Sequence, residues 1–179
     1  MDYYRINVAG LTRDLPVCPL NESIDIAGFV LLGDIELTQA CARELAKIAP
    51  EHDVIITAEA KGIPLAHEMA SILNEKNFVC CRKGFKLYMQ NPINVKVKSI
   101  TTEKEQTLWI DECDALLMRG KKVLIVDDVI STGESLIAIE KLVNEVGGIV
   151  CGKMCVLAEG DAKDRDDIIY LEELPLLFK

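Results

Sequence analysis

From about residue 50 onward, short apolar runs alternate with helical periodicities, the pattern of units that build a parallel sheet covered on both faces. Val54 to Glu59 reads as a buried strand, Pro64 suits the first turn of a helix, and Leu65, Met69, Ile72 and Leu73 give that helix one apolar face. Asn77 to Cys81 predicts the next strand. After the turn Arg119 to Lys122, Val123 to Val126 is a fully apolar strand that ends at Asp127 and Asp128. A helix begins after Gly133, carries Leu136, Ile137, Ile139, Leu142 and Val143 on its apolar side, and stops at Gly147-Gly148. Ile149 to Leu157 is a further buried strand. The predicted class is α/β, with a mostly parallel central sheet flanked by helices.

Two regions break this rhythm. Between Arg82 and about Glu105 the chain turns basic and polar, with Arg82, Lys83, Lys86, Lys96, Lys98 and Lys104, which predicts a mobile excursion, and Thr107 to Asp111 returns from it as a strand. The first fifty residues are less regular, apart from a helix over 34–48 bearing Leu37, Cys41, Leu45 and Ile48; residues 1–33 suit a small cap. With no internal repeat or interdomain linker, residues 1–179 are expected to form a single domain.

Half of the 179 residues are apolar, enough for one substantial core. A net charge of −9 and a sequence pI near 4.8 argue against nucleic-acid and membrane-surface partners, which select clustered Lys and Arg. Seven cysteines without paired spacing or nearby histidines fit neither a zinc site nor a disulfide framework, and most are expected to be buried small apolar residues. No cationic-then-apolar leader opens the chain and no apolar run approaches membrane-spanning length, so a reduced, cytoplasmic setting is expected. His52 and His67, with no recognisable partners in sequence, are expected to be surface or satisfied helix residues.

The chemistry concentrates in Val123 to Ser135. A strand ending in two acids and followed by Ser131-Thr132-Gly133-Glu134-Ser135 at the start of a helix brings backbone N–H groups, hydroxyls and a helix N-terminus to one concavity, a phosphate cradle. Gly133 allows close backbone approach, and Thr132 and Ser135 can donate hydroxyl hydrogen bonds. Two carboxylates would repel a phosphate unless they face another part of the same ligand. A sugar diol, with two donors for carboxylate oxygens, satisfies them, and the whole describes a ribose 5-phosphate with its 2- and 3-hydroxyls on Asp127 and Asp128. As surface carboxylates at a strand end, these two are expected to contribute little packing. No GxxxxGK[ST] loop occurs.

This apolar strand, acidic pair and Ser-Thr-Gly-x-Ser loop resembles the phosphoribosyl pyrophosphate (PRPP) signature of the type I phosphoribosyltransferases, and the adenine enzymes among them in particular. Glu59-Ala60-Lys61-Gly62-Ile63-Pro64 resembles that family's pyrophosphate loop, with Lys61 where adenine enzymes usually have Arg. The resemblance implies a strained peptide before Lys61, open to the cis form, that directs backbone N–H groups at the diphosphate. Arg82-Lys83 with Lys86 resembles the start of the flexible loop in adenine and xanthine enzymes, here about residues 82–106, which in the family helps hold pyrophosphate and closes over the site. The likeness covers about residues 34 to 160 and implies a small N-terminal hood over the base. Asp127, Asp128 and Ser131 to Ser135 would then hold ribose and 5-phosphate, and Ala60, Lys61, Gly62, Arg82, Lys83 and Lys86 the pyrophosphate.

The reaction so implied transfers the ribose 5-phosphate of PRPP to a base nitrogen and releases pyrophosphate, through a transition state like an oxocarbenium ion. Mg²⁺ is implied as cofactor, carried by PRPP oxygens and water near Asp127 and Asp128 without a dedicated metal cluster. Ser131 stands where hypoxanthine-guanine enzymes carry an Asp that handles the purine N7 proton, which biases the free base toward adenine. Adenine enzymes place a Glu in the closing loop against the base. Glu103 is the candidate here, although Ser99 to Thr101 also resembles xanthine enzymes. The alternatives are a xanthine/guanine or orotate enzyme, or a PRPP-binding regulator without catalysis, which the acidic composition and missing DNA-binding domain disfavour. The resemblance also implies a homodimer paired around the pyrophosphate and flexible loops.

Overall fold

In the computed structural model the described residues are 2–98 and 105–179. Three antiparallel strands open the chain, β1 (Tyr3–Val8), β2 (Leu11–Pro19) and β3 (Ile24–Ala27), and the C-terminal strand β11 (Leu177–Phe178) pairs with β3 to complete a four-stranded cap. Helix α1 (Ile35–Ile48) follows. Its first turn is capped by Asp34, which accepts from the Leu37 N–H at 3.0 Å and is gripped by Arg13 of β2 at 2.7 Å, so one residue joins cap to helix. Leu37, Cys41 and Leu45 are buried as their spacing predicts, but Ile48 is half exposed because the helix ends there, clear of the core.

The central sheet is built from β4 (Val54–Ala58), β5 (Val79–Cys81), β8 (Lys122–Ile130), β9 (Ile149–Glu159) and β10 (Ile169–Leu174), all parallel, in the order β10-β9-β8-β4-β5. Strand alternation decides what each face meets. Ile55, Leu124 and Val126 pack on a core shared by the cap, α1 and helix α2 (Ile63–Ile72). Val54, Ile56, Val123 and Ile125 pack on the opposite core, built from helix α3 (Glu112–Met118), helix α4 (Glu134–Glu145) and the hairpin of β6 (Ile93–Lys98) with β7 (Glu105–Ile110). On α4 the inward residues are Leu136, Ala138, Ile139, Leu142 and Val143, while Ile137, expected inside, is 44% exposed.

The stretch read as a mobile excursion is partly built into structure. Arg82 and Trp109 exchange two backbone hydrogen bonds of 2.8 Å, and Val95 and Leu108 of the hairpin are buried against the core. Glu103 lies outside the described residues, so its placement against the base is neither met nor missed. Of the seven cysteines, all with free thiols, only Cys41, Cys81 and Cys155 are buried; Cys18 and Cys113 are exposed, correcting the expectation that most sit inside. Burial pushes the Cys41 and Cys155 thiols up to about 12. His52, mostly buried outside any helix, bonds the Pro50 carbonyl at 2.7 Å and Glu75 at 2.6 Å, while His67 is exposed on α2 and meets Phe78 edge-on. No helix among the described residues is long and apolar enough to cross a membrane.

Candidate active site

The C-terminal ends of β4, β5, β8 and β9 meet at one edge of the sheet, where open parallel sheets gather their ligands. Strand β8 runs on to Ile130, so the acidic pair lies within the strand rather than after it. That corrects the surface assignment. Asp128 points into the protein and is 2% exposed, while Asp127 is half buried and accepts the Asp128 N–H at 2.9 Å. Burial, together with the neighbouring Asp128 charge, pushes the Asp127 carboxyl up to about 7, with Lys61 pulling the other way.

Gly62 explains how the pyrophosphate-like loop comes so close to that pair. A Cβ at this position would lie 2.3 Å from Thr57 Oγ1 and 3.0 Å from Asp127 Oδ1, so only glycine fits. Lys61 Nζ, from the same loop, stands 3.0 Å from Asp128 Oδ2. The non-proline cis peptide is Glu59–Ala60, one bond ahead of the expected position. Lys61 and Gly62 are therefore brought beside Asp128 and Asp127.

The other basic residues gather around Glu59, which the sequence reading left without a role. Its carboxylate accepts the Lys83 backbone N–H at 2.7 Å, with Arg82 Nη1 at 3.3 Å and Lys86 Nζ at 3.8 Å. Burial alone would raise the Glu59 carboxyl, but the Lys83 N–H and the two cations outweigh it and hold it below the usual range. Lys83 thus enters through its backbone. The signal was present in sequence as an acid directly ahead of Ala-Lys-Gly, but its partners lie 23 to 27 positions away.

On the far side of the acidic pair, Ser131 to Ser135 line a concavity of about 260 Å³ together with Asp127, Val129, Ile130 and Leu136. Gly133 takes φ +78°, a conformation that favours glycine, and starts α4 with no side-chain cap. Helix α2 likewise starts from Gly62 uncapped, whereas α1 and α3 are capped by Asp34 and Asp111. Of the two helices that open at the site, α4 therefore leaves first-turn N–H donors for an anion, whereas on α2 the Ile63 N–H is taken by the Ala60 carbonyl at 3.3 Å and Pro64 has no N–H to give. Arg165, which sequence reading missed, lies against the loop: its Nη1 is 2.6 Å from where a Gly133 Cβ would be.

Comparison with known proteins agrees with this geometry. The model of the phosphoribosyl transferase domain matches residues 32–174. The hypoxanthine/guanine phosphoribosyltransferase of Methanothermococcus okinawensis is 34% identical over 137 residues, covering 76% of this chain and 70% of its own. The adenine phosphoribosyltransferase of Petrotoga mobilis is 30% identical over 168 residues, 92% of this chain and 93% of its own. Among solved structures, the adenine phosphoribosyltransferase of Thermoanaerobacter pseudethanolicus superposes with a TM-score of 0.73 at 25% identity, over 89% of this chain and 95% of that one.

Proposed function

Because the chain belongs to the phosphoribosyl transferase domain family and has the type I fold, we propose that it transfers the ribose 5-phosphate of PRPP to a free purine base, with adenine as preferred acceptor, in purine salvage. The observation that carries this reading is the acidic pair set between two uncapped, glycine-started helices. The α4 loop takes the 5-phosphate, Asp127 and Asp128 accept from the ribose hydroxyls, and the Gly62 side takes the diphosphate. Positive charge from Lys61, Arg82 and Lys86, with N–H groups at residues 60–62, meets the charge that builds on the leaving diphosphate, while the Lys83 N–H holds Glu59 in place.

Among the described residues no three metal-type side chains converge, and the oxygen donors at this point are the two carboxylates of Asp127 and Asp128. Such a donor set suits Mg²⁺ held mainly by substrate oxygens and water, where it would neutralise diphosphate charge. Phe85, Leu87 and Tyr88, exposed in and directly after the Arg82–Lys86 segment, support a homodimer paired across this region, and a cytoplasmic setting is part of the same reading. Sedimentation at assay concentration should then give about twice the 19.8 kDa chain mass.

Adenine is favoured because Ser131 offers a hydroxyl where a carboxylate would serve a 6-oxopurine, and a missing acid–base partner costs on the order of 10²–10⁴ in rate. A second reading, hypoxanthine or guanine, is favoured by the 34% identical Methanothermococcus relative. Pyrophosphate release from PRPP and Mg²⁺, measured across adenine, hypoxanthine, guanine, xanthine and orotate, separates them. Faster turnover of guanine or hypoxanthine overturns the adenine preference alone; no release with any base overturns catalysis.

A further inference from the structure

The loop Ser131–Ser135 has a neighbour that neither the sequence motif nor the family likeness accounts for. Arg165 follows the 3₁₀ turn Gly160–Asp164 and closes it by donating its backbone N–H to the Ala162 carbonyl at 3.2 Å. Its side chain then turns toward Gly133 and fills the space where any other residue at that position would have its Cβ. Two of its three guanidinium nitrogens are fixed: Nε donates to Asp167 Oδ1 and Nη2 to Asp167 Oδ2, both at 2.8 Å. Asp167 also takes Lys153 Nζ of β9 at 2.7 Å, and Lys153 pairs with Glu140 of α4, the helix that the loop opens. The third nitrogen, Nη1, has no hydrogen-bond acceptor among the described residues and is the one that lies against the loop.

We propose that Arg165 is a further ligand of the phosphate taken by the Ser131–Ser135 loop, its Nη1 donating to a phosphate oxygen beside Gly133. This rests on the PRPP reading above. The chain Glu140, Lys153, Asp167 and Arg165 holds two positive and two negative groups, so it adds no net charge. What it adds is one N–H whose direction is set before the ligand arrives, and a forked guanidinium held on one edge has already lost the freedom that binding would otherwise remove. A bare surface pair between Arg165 and Asp167, by contrast, would contribute little to anything.

Calorimetric titration with ribose 5-phosphate and, separately, with pyrophosphate tests this on the wild-type chain and on Arg165→Gln. Ribose 5-phosphate should bind the variant about tenfold more weakly, the equivalent of ~1.4 kcal/mol, while pyrophosphate affinity stays the same. Equal ribose 5-phosphate affinity overturns the proposal, as does a matched loss for pyrophosphate, which would mark a general loosening. If the Gln variant melts early, Arg165→Lys, which keeps the charge and loses the fork, carries the same two thresholds. A wild-type chain that binds no ribose 5-phosphate overturns the PRPP reading itself, and this inference with it.

Discussion

On its phosphate side the candidate site offers backbone N–H groups at the start of α4, a glycine at φ +78° and a guanidinium pinned by Asp167. On its pyrophosphate side it offers side-chain cations, and in the ligand-free chain each already has a carboxylate: Lys61 has Asp128, and Arg82 and Lys86 have Glu59. The first side is ready for an anion, whereas on the second the diphosphate must compete with a carboxylate for each cation it takes. Donors fixed in the backbone cost little to organise when a ligand binds, while long side chains cost entropy and require an exchange of partners. The difference suits a reaction in which one end of the substrate stays bound and the other departs.

The largest effect should come from the residues between the two sides. Asp127→Asn with Asp128→Asn replaces both charged diol acceptors with neutral amides and removes the ion-pair partner of Lys61, and should lower turnover by on the order of 10³. The fold should survive, although the reason differs from the one the sequence suggested. Asp128 is buried, so the amides replace charges that are costly to bury rather than charges in solvent. Circular dichroism alongside the pyrophosphate-release assay checks both halves, and undiminished turnover in a folded double variant would remove the diol assignment.

Glu59→Gln tests the claim that the pyrophosphate side is held in check. The amide can still accept the Lys83 N–H, but it no longer competes for Arg82 and Lys86. Free pyrophosphate should bind about three- to tenfold more tightly, in line with ~1 kcal/mol for partly exposed pairs, with ribose 5-phosphate unaffected. Weaker pyrophosphate binding would mean that Glu59 aims the cations rather than restrains them.

The two sides also differ in how far the sequence discloses them. The phosphate loop is contiguous with an apolar strand and a periodic helix, so residues 123–135 were readable as a unit, and β4, β8, β9 and α4 follow from the same short-range patterns. The Glu59 cluster joins residues 23 to 27 apart, and Arg165 reaches the loop from more than thirty residues downstream. Local patterning does not encode such pairings. The cap's strands and the central sheet's edge strand β10 escape sequence patterning for a related reason: β1 buries only Ile6 and Val8 among its six residues, and β10 is a mixed run, Ile-Tyr-Leu-Glu-Glu-Leu. Helix α3 spans 7 residues, too few to establish a period, and the Asp111 that ends the predicted strand is its N-cap.

A smaller effect concerns pH. The Asp127 carboxyl sits at about 7 in the folded chain, against ~3.9 for an unfolded aspartate. The folded state therefore holds this proton more tightly. The stability it contributes is complete below about pH 4 and is lost as pH rises through about 7. Asp127→Asn removes that dependence, so its melting temperature should gain on wild type by roughly 5 °C between pH 5 and pH 8, at ~2–4 °C per kcal/mol for a chain of this size. Thermal scans of the ligand-free proteins at four pH values check it, and a constant difference would mean that the Asp127 carboxyl is not raised.

The smallest effect should come from Lys61→Arg, which leaves the charge alone and changes only its shape. Lys61 is half exposed, and its single ammonium now faces Asp128 Oδ2 at 3.0 Å, so a diphosphate oxygen and the carboxylate must share or alternate on one compact donor group. A guanidinium is a planar fork that can serve both partners at once, Asp128 from one edge and the diphosphate from the other. The exchange of partners that separates this side from the phosphate loop would then be partly abolished. The KM for PRPP should fall about two- to fivefold with kcat unchanged, the scale of a partly solvated pair. Steady-state kinetics with PRPP varied at saturating base reads this directly. A higher KM would mean that the space beside Gly62, already too tight for one added carbon, cannot admit the larger head group either.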